Sequence, residues 1–395
     1  MKRVLLFIPI LLSLLLSSCK KEIDPIEERM SNEYIVYPDG SESKNDSPLI
    51  TTNVKDEKEI TILPSEWMAY YKESDDYMSI RYSYTEGEED VTPNPLTIVW
   101  NSKEQPTQYN FKISTNRKME NPVEYTLDSN TIQLTDLYAG THYYYQIHAV
   151  FIDKTVVSKR FDFKTVDFFR TIKIDGVYNG RDLGNKKTFD GKKVFKQGLV
   201  YRTANFDSVT STGKLDAINK YGIKTDLDLR EREYGDVSPL SEQVQYINNG
   251  GDNKYGSPHY TSSDYGLKNE LYQAVMKENL KVFADNNNFP VAFHCAVGRD
   301  RTGTLAIVLL LLCEIDLLQI RQDYVVSYFS KACNNTSLDD YVNQMESTLK
   351  YFTYYRSKAG DNSGNIYHRS ENYCLDIGLT QADINSIRSN LLEAR

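Results

Sequence analysis

Val291-Ala-Phe-His-Cys-Ala-Val-Gly-Arg-Asp-Arg-Thr-Gly-Thr304 is the stretch on which the reading of the chain turns. It opens as a short apolar strand, Val291 to Phe293. It turns through His294, Cys295, Gly298 and Arg301, then runs into an apolar helix, Leu305 to Ile315. A strand, a tight turn and a helix N-terminus gather backbone N–H groups around one point, where an anion binds. A cysteine at that point differs chemically from a core cysteine. A free thiol has a pKa of about 8.5, and a helix N-terminus with a nearby cation brings it to roughly 3.5–7.5. Arg301 supplies the cation, and its planar fork can hold two phosphate oxygens, which Lys cannot do. Gly298 permits the tight loop, Thr302 can donate to the thiolate, and His294 can fix the loop by hydrogen bonding. A lone cysteine before an apolar helix reads as a small core residue. Here His294, Gly298, Arg301, Thr302 and Gly303 agree with the strand–loop–helix context, and the expected chemistry is a thiolate attacking a bound phosphate.

Outward from this stretch, residues 170 to 395 alternate strand and helix signals. Lys192 to Tyr201 reads as strand and turn, Ser211 to Tyr221 as a helix ending at Gly222, and Ile223 to Leu229 as an alternating strand. Residues 234 to 268 are rich in Gly, Asn, Ser, Asp and Tyr and read as a long loop region. Glu270 to Asp285 reads as a helix. Further helices are expected over Ile320–Ser330, Leu338–Arg356 and Gln381–Glu393, the last capped by Thr380. This alternation predicts an α/β domain around a mostly parallel sheet.

Between about 78 and 165 the period changes to two. Strands are expected over Met78–Tyr84, Leu96–Trp100, Gln108–Ser114, Val123–Thr126, Thr131–Leu134, His142–Phe151 and Val156–Lys164. Short strands at this spacing argue for a β-sandwich over 51–166, with an open choice of strand or helix for Trp67–Tyr71. Leu134 to Ile147, with its Gly-Thr-His-Tyr run, resembles a fibronectin type III (immunoglobulin-like) strand. That resemblance makes Tyr143 the tyrosine of a corner and Trp100 the buried tryptophan of an early strand. No catalytic group stands out there, so the domain reads as a spacer or binding module. The short apolar linker is Val166-Asp-Phe-Phe169.

The N-terminus reads as targeting. Lys2 and Arg3 precede an apolar run from Val4 to Leu16, shorter than the roughly 20 residues that span a bilayer. It ends in Leu16-Ser-Ser-Cys19, which resembles a lipobox, so residues 1–18 are expected to be a lipoprotein signal peptide and Cys19 the lipidated residue. Residues 19–50 read as a flexible polar tether. The expected location is the bacterial cell envelope, as a lipid-anchored periplasmic or outer-membrane lipoprotein. A formal charge of -9 argues against nonspecific nucleic-acid binding. Cys313, Cys333 and Cys374 show no metal-binding spacing among themselves or with the scattered histidines, so no metal and no cofactor are expected.

The motif His294-Cys-Ala-Val-Gly-Arg-Asp-Arg-Thr-Gly303 resembles the CX5R loop of cysteine-based protein tyrosine phosphatases. Its Asp-Arg-Thr-Gly ending is similar to the bacterial atypical tyrosine, dual-specificity and lipid phosphatase family. Asn179-Gly-Arg-Asp-Leu-Gly184, Gly198-Leu-Val-Tyr-Arg-Thr203 and the Asp-Leu-Arg end of Ile223–Glu233 resemble that family's upstream blocks. The family usually has Lys where this chain has Arg299, and its opening motif has Phe and a second Gly where Gly180 and Asn185 stand. The resemblance implies a tyrosine phosphatase fold over 170–395, with Cys295 as nucleophile and Arg301 as phosphate clamp. Ala296, Val297, Gly298, Arg299, Thr302 and Gly303 surround the phosphate, while His294, Arg181, Asp182 and Arg230 support the loop. Asp300 is the implied general acid, with Asp226, Asp228 or an Asp of the 234–268 loop as alternatives. The expected substrate is a phosphotyrosine or dual-specificity protein, and second a phosphoinositide or inositol polyphosphate, a phosphorylated lipid or small molecule. A different class of reading is a non-catalytic phosphate or glycan binder of the envelope, where an exposed low-pKa thiolate is open to oxidation.

Overall fold

The computed structural model of the chain describes residues 24–73, 75–83, 91–230, 237–250, 264–333 and 337–395. The lipobox and Cys19 lie outside them, as does part of the 234–268 loop. The described residues fall into two compact units that do not divide the chain at a single linker.

Of the described residues, the first unit draws on 24–51, 100–130 and 144–161. Its strands pair antiparallel in the order Glu42–Asn45, Glu33–Val36, Thr155–Val157, the 144–150 part of His142–Val150, Gln108–Ser114 and Val123–Leu127. Strict alternation buries Tyr109, Phe111 and Ile113 on one face. Trp100 stacks on Phe111 at 5.9 Å, and Phe111 on Tyr145 at 5.4 Å. The tether reading is corrected here, because helix Pro25–Met30 and two of these strands occupy residues 25–45. The buried carboxylate of Glu33 accepts from the N–H groups of Leu49 and Ile50 at 2.8 and 2.9 Å, which ties the segment down. It reads as linker because Glu42–Asn45 is an exposed strand with no apolar alternation.

The second unit takes in Thr52–Val99, Thr131–Tyr143 and Asp162–Arg395. Its six-stranded sheet is built from β1 (Arg170–Thr171), β2 (Arg181–Asp182), β3 (Val200–Thr203), β4 (Thr225–Asp228), β5 (Gln245–Ile247) and β6 (Val291–His294), in the order β1-β2-β3-β6-β4-β5. The four strands from β3 to β5 run parallel, and β1 and β2 are antiparallel additions. The helices are α1 (Glu270–Val282), α2 (Asp300–Leu312), α3 (Leu317–Val325), α4 (Leu338–Thr353), α5 (Ile366–Asp376) and α6 (Gln381–Leu391). Helix α2 is buried at every position from Thr302 to Leu312, as expected of a helix that is apolar all round. Thr380 caps α6 in a full capping box with Asp383.

Several elements depart from expectation. Of the expected strand Met78–Tyr84, the described residues Met78–Ser83 are helical, because Ser79 and Ile80 turn inward together. Trp67–Tyr71 belongs to a helix, Ser65–Tyr71, and not to a sandwich. Trp67, Tyr70 and Ile80 join the same buried cluster as Phe169, Phe293 and Leu309. The expected 51–166 domain therefore gives its first residues to the core of the second unit. Helix α5 was unforeseen, because its buried stripe is interrupted by Ser370 and Asn372.

Candidate active site

Register places the site. His294 ends β6 opposite Thr203 of β3 and Asp228 of β4, all parallel. The chain thus leaves the sheet at the carboxyl ends of three parallel strands, the usual ligand side of an open α/β sheet. Six residues later it enters α2 at Asp300.

Three successive carbonyls of the intervening loop, those of Ala296, Val297 and Gly298, are taken from outside it. That of Ala296 accepts from the Asn205 backbone N–H at 3.2 Å and from its Nδ2 at 2.7 Å. That of Val297 accepts from Asn179 Nδ2 at 3.1 Å, with Cys333 Sγ 3.7 Å away. That of Gly298 accepts from Asn179 Nδ2 at 3.2 Å and from Arg202 Nη2 at 2.9 Å. In a planar trans peptide the N–H points opposite to the C=O. The N–H groups of Val297, Gly298 and Arg299 therefore turn to the inner side, where they form a donor-only nest. Gly298 is required twice. Its φ is +73°, and a Cβ there would stand 2.3 Å from the carbonyl oxygen of Thr203.

Cys295 is buried beside this nest. Burial alone pushes a thiol up, but the Arg301 charge and the hydroxyl and N–H of Thr302 outweigh it, and its pKa falls below the ordinary thiol value. The Thr302 hydroxyl is buried and makes no hydrogen bond of ordinary geometry, so its effect on the sulfur is through proximity. The other thiols behave oppositely. Burial pushes Cys313 to about 12 and Cys333 to about 11, and it raises Cys374 as well. The four cysteines among the described residues are free.

Arg299 and Asp300 are engaged with each other. Arg299 Nε lies 2.5 Å from Asp300 Oδ1 and Nη2 lies 3.1 Å from Oδ2, and the guanidinium sits 4.7 Å over the Tyr341 ring. Gly303 lets α2 pass close to Tyr324, since a Cβ there would lie 2.5 Å from its ring.

Two buried polar networks flank the loop. In the first, His294 Nε2 meets Asp226 Oδ1 at 2.9 Å, and Nδ1 lies 3.2 Å from the Cys295 carbonyl and 3.8 Å from Asp228. Burial opposes its charge, but the two carboxylates prevail and push its pKa up to about 9. Arg230 holds Asp228 through both oxygens and reaches Asp207 at 2.7 Å, so it supports His294 and not the loop directly. Asp226 and Asp228, the alternative acids on β4, are fully buried in this network.

In the second, Asp323 of α3 meets Arg202 at 2.5 Å, Arg181 at 3.3 Å and Lys186 at 3.4 Å. Arg181 also donates to Asn179 Oδ1 at 2.6 Å, so it braces the loop through Asn179. Asp182 does not join it. As the next residue of an extended strand it faces the other way, where it meets Arg170 at 3.1 Å and the N–H groups of Gly184 and Gly198. Asn185, where the opening motif has a Gly, keeps φ at 63°, a conformation Asn tolerates. Asn179, Arg202, Asn205 and Asp323 carry much of the geometry, and the sequence reading gave none of them a role. Asn179 and Arg202 stood in quoted blocks, Asn205 and Asp323 in none. No cluster of His, Cys, Asp and Glu among the described residues could hold a metal ion.

Residues 172–393 match the tyrosine phosphatase family. Over 139 residues the chain is 29% identical to a tyrosine-protein phosphatase of Nostoc commune, covering 32% of this chain and 47% of that protein. The chain thus spans about half the length of that curated relative. Among solved structures, the core catalytic domain of the PP-IP phosphatase SIW14 from S. cerevisiae is similar at 20% identity and a TM-score of 0.27, over 38% of this chain and 83% of that one. A second structure of the Siw14 catalytic core is similar at 18% identity and the same TM-score, over 37% of this chain and 78% of that chain.

Proposed function

Because the chain belongs to the tyrosine phosphatase family, we propose that it hydrolyses phosphomonoesters through a cysteinyl-phosphate, with phosphotyrosine in proteins as its first substrate class. The observation that carries this reading is the Cys295 thiol, drawn down beside a donor-only nest while the three other buried thiols are raised. The Cys295 thiolate attacks phosphorus while Arg301 and the loop N–H groups hold the equatorial oxygens. Asp300 gives its proton to the departing phenoxide. Water then attacks phosphorus, the S–P bond breaks, and Asp300 takes the water's proton as inorganic phosphate leaves. This role requires the Arg299–Asp300 pair to open. That pairing also commits the second cation of the loop, which favours esters carrying one phosphate over inositol polyphosphates.

Lipid anchoring at Cys19 in a bacterial envelope is part of the same reading, on the Leu16–Cys19 pattern. So is a fibronectin type III-like origin for the antiparallel strands. The Tyr143 hydroxyl supports it by accepting the Tyr138 N–H at 2.7 Å, as does the burial of Trp100.

Cys295→Ser is expected to abolish turnover of p-nitrophenyl phosphate and of phosphotyrosine peptides under reducing conditions. Activity surviving that change overturns the reading. A wild-type preference for inositol phosphates in the same assay moves the substrate class.

A further inference from the structure

Beneath the phosphate loop lies a buried group of charges that does not balance. Arg181, Arg202 and Lys186 converge on one carboxylate, Asp323, and all four side chains are at most 3% exposed. A buried cation without its own anion is unfavourable. Burial first, then the charge of Arg202, draws Arg181 down to about 10, and burial with Arg181 nearby lowers Lys186 too. Nearby Asp182 offers little relief, since it is occupied by Arg170. Donors are also in surplus. Arg202 Nε and the hydroxyls of Thr203 and Thr304 are buried without a hydrogen-bond partner.

Arg202 connects this group to the loop. One of its amino groups meets Asp323 and the other donates to the Gly298 carbonyl at 2.9 Å. The same peptide unit carries the Arg299 N–H on its opposite side. A cation on the carbonyl polarises that peptide and makes its N–H a stronger donor. Asn179 and Asn205 do the same, as neutral donors, for the peptides of Val297 and Ala296.

We propose that Arg202, held by Asp323, is a positioning residue that aims and polarises the Gly298–Arg299 peptide, so that a phosphate dianion in the loop is the counter-ion the buried network lacks. The proposal deepens the phosphatase reading and rests on it for the identity of the anion. Arg202 touches no substrate. It acts through one peptide bond, on the side of the loop away from the substrate.

The test compares the full chain with Arg202→Met, Arg202→Lys and Asn205→Ala. Three readouts are taken on each: inorganic phosphate affinity by titration calorimetry, kcat and KM on p-nitrophenyl phosphate, and thermal midpoint. Arg202→Met is expected to weaken phosphate binding and lower kcat by roughly tenfold or more each. Arg202→Lys, which keeps the charge but loses the fork, should fall between Met and wild type, and Asn205→Ala should have the smallest effect. Arg202 variants with a lower thermal midpoint but wild-type phosphate affinity and kcat overturn the proposal and leave Arg202 a stability residue. If Arg202→Met does not fold, Arg202→Lys decides alone, and wild-type phosphate affinity in it is the overturning result. Phosphate binding without turnover in the wild type removes the phosphatase reading and leaves this proposal to the calorimetry. No phosphate binding in the wild type removes both.

Discussion

Cys295 and Arg301 announce themselves by spacing, because nucleophile and clamp belong to one turn of chain and the helix that follows fixes their geometry. The residues that set the loop's polarity do not. Asn179, Arg202 and Asn205 reach the loop from 91 to 119 residues upstream, and no local pattern encodes such pairs. Asp300 lies between these cases. It is visible in the motif, but only the structure shows its carboxylate spanned by Arg299. If it protonates the leaving group, Asp300→Asn should harm phenyl phosphate, a poor leaving group, by about 10² or more in kcat, and p-nitrophenyl phosphate far less. Steady-state rates on the two esters check this, and equal losses would remove Asp300 from the acid role.

At the scale of elements, period separates the two kinds of sheet well. Gln108–Ser114 and Thr131–Leu134 form where alternation places them, since one face of each is buried. The helix Ser65–Tyr71 does not show itself in this way. A short apolar run suits strand or helix equally until its partners are known, and its partners lie far along the chain. Trp67 meets Phe169 at 5.9 Å and Phe329 at 5.5 Å, and it is 2% exposed. Trp67→Ala is expected to destabilise the catalytic unit by about 3–5 kcal/mol, the range for emptying an aromatic site in a core. Urea unfolding followed through phosphatase activity would register it. A loss below about 1 kcal/mol would mean that the helix merely rests on the surface.

At the scale of the molecule, the targeting reading makes a claim about whole-cell behaviour. No helix among the described residues is long and apolar enough to cross a membrane. If Cys19 carries the anchor, Cys19→Ser should move the protein from the detergent-extracted membrane fraction to the aqueous one, with its specific activity unchanged. Retention in the membrane fraction would assign the attachment to something else. A strand-rich region and an alternating region are each visible in the residue pattern of the chain. The boundary is not, because Trp67, Tyr70 and Ile80 are buried with Phe293 and the residues of α2. That shared core has a consequence for descent. A gene segment beginning near residue 170 would carry every motif of the active site and lack part of the hydrophobic interior on which it stands. Recombination at the apparent linker would yield an incomplete catalytic unit, so the residues from 52 to 83 must be inherited with the phosphatase rather than with the strands that follow them.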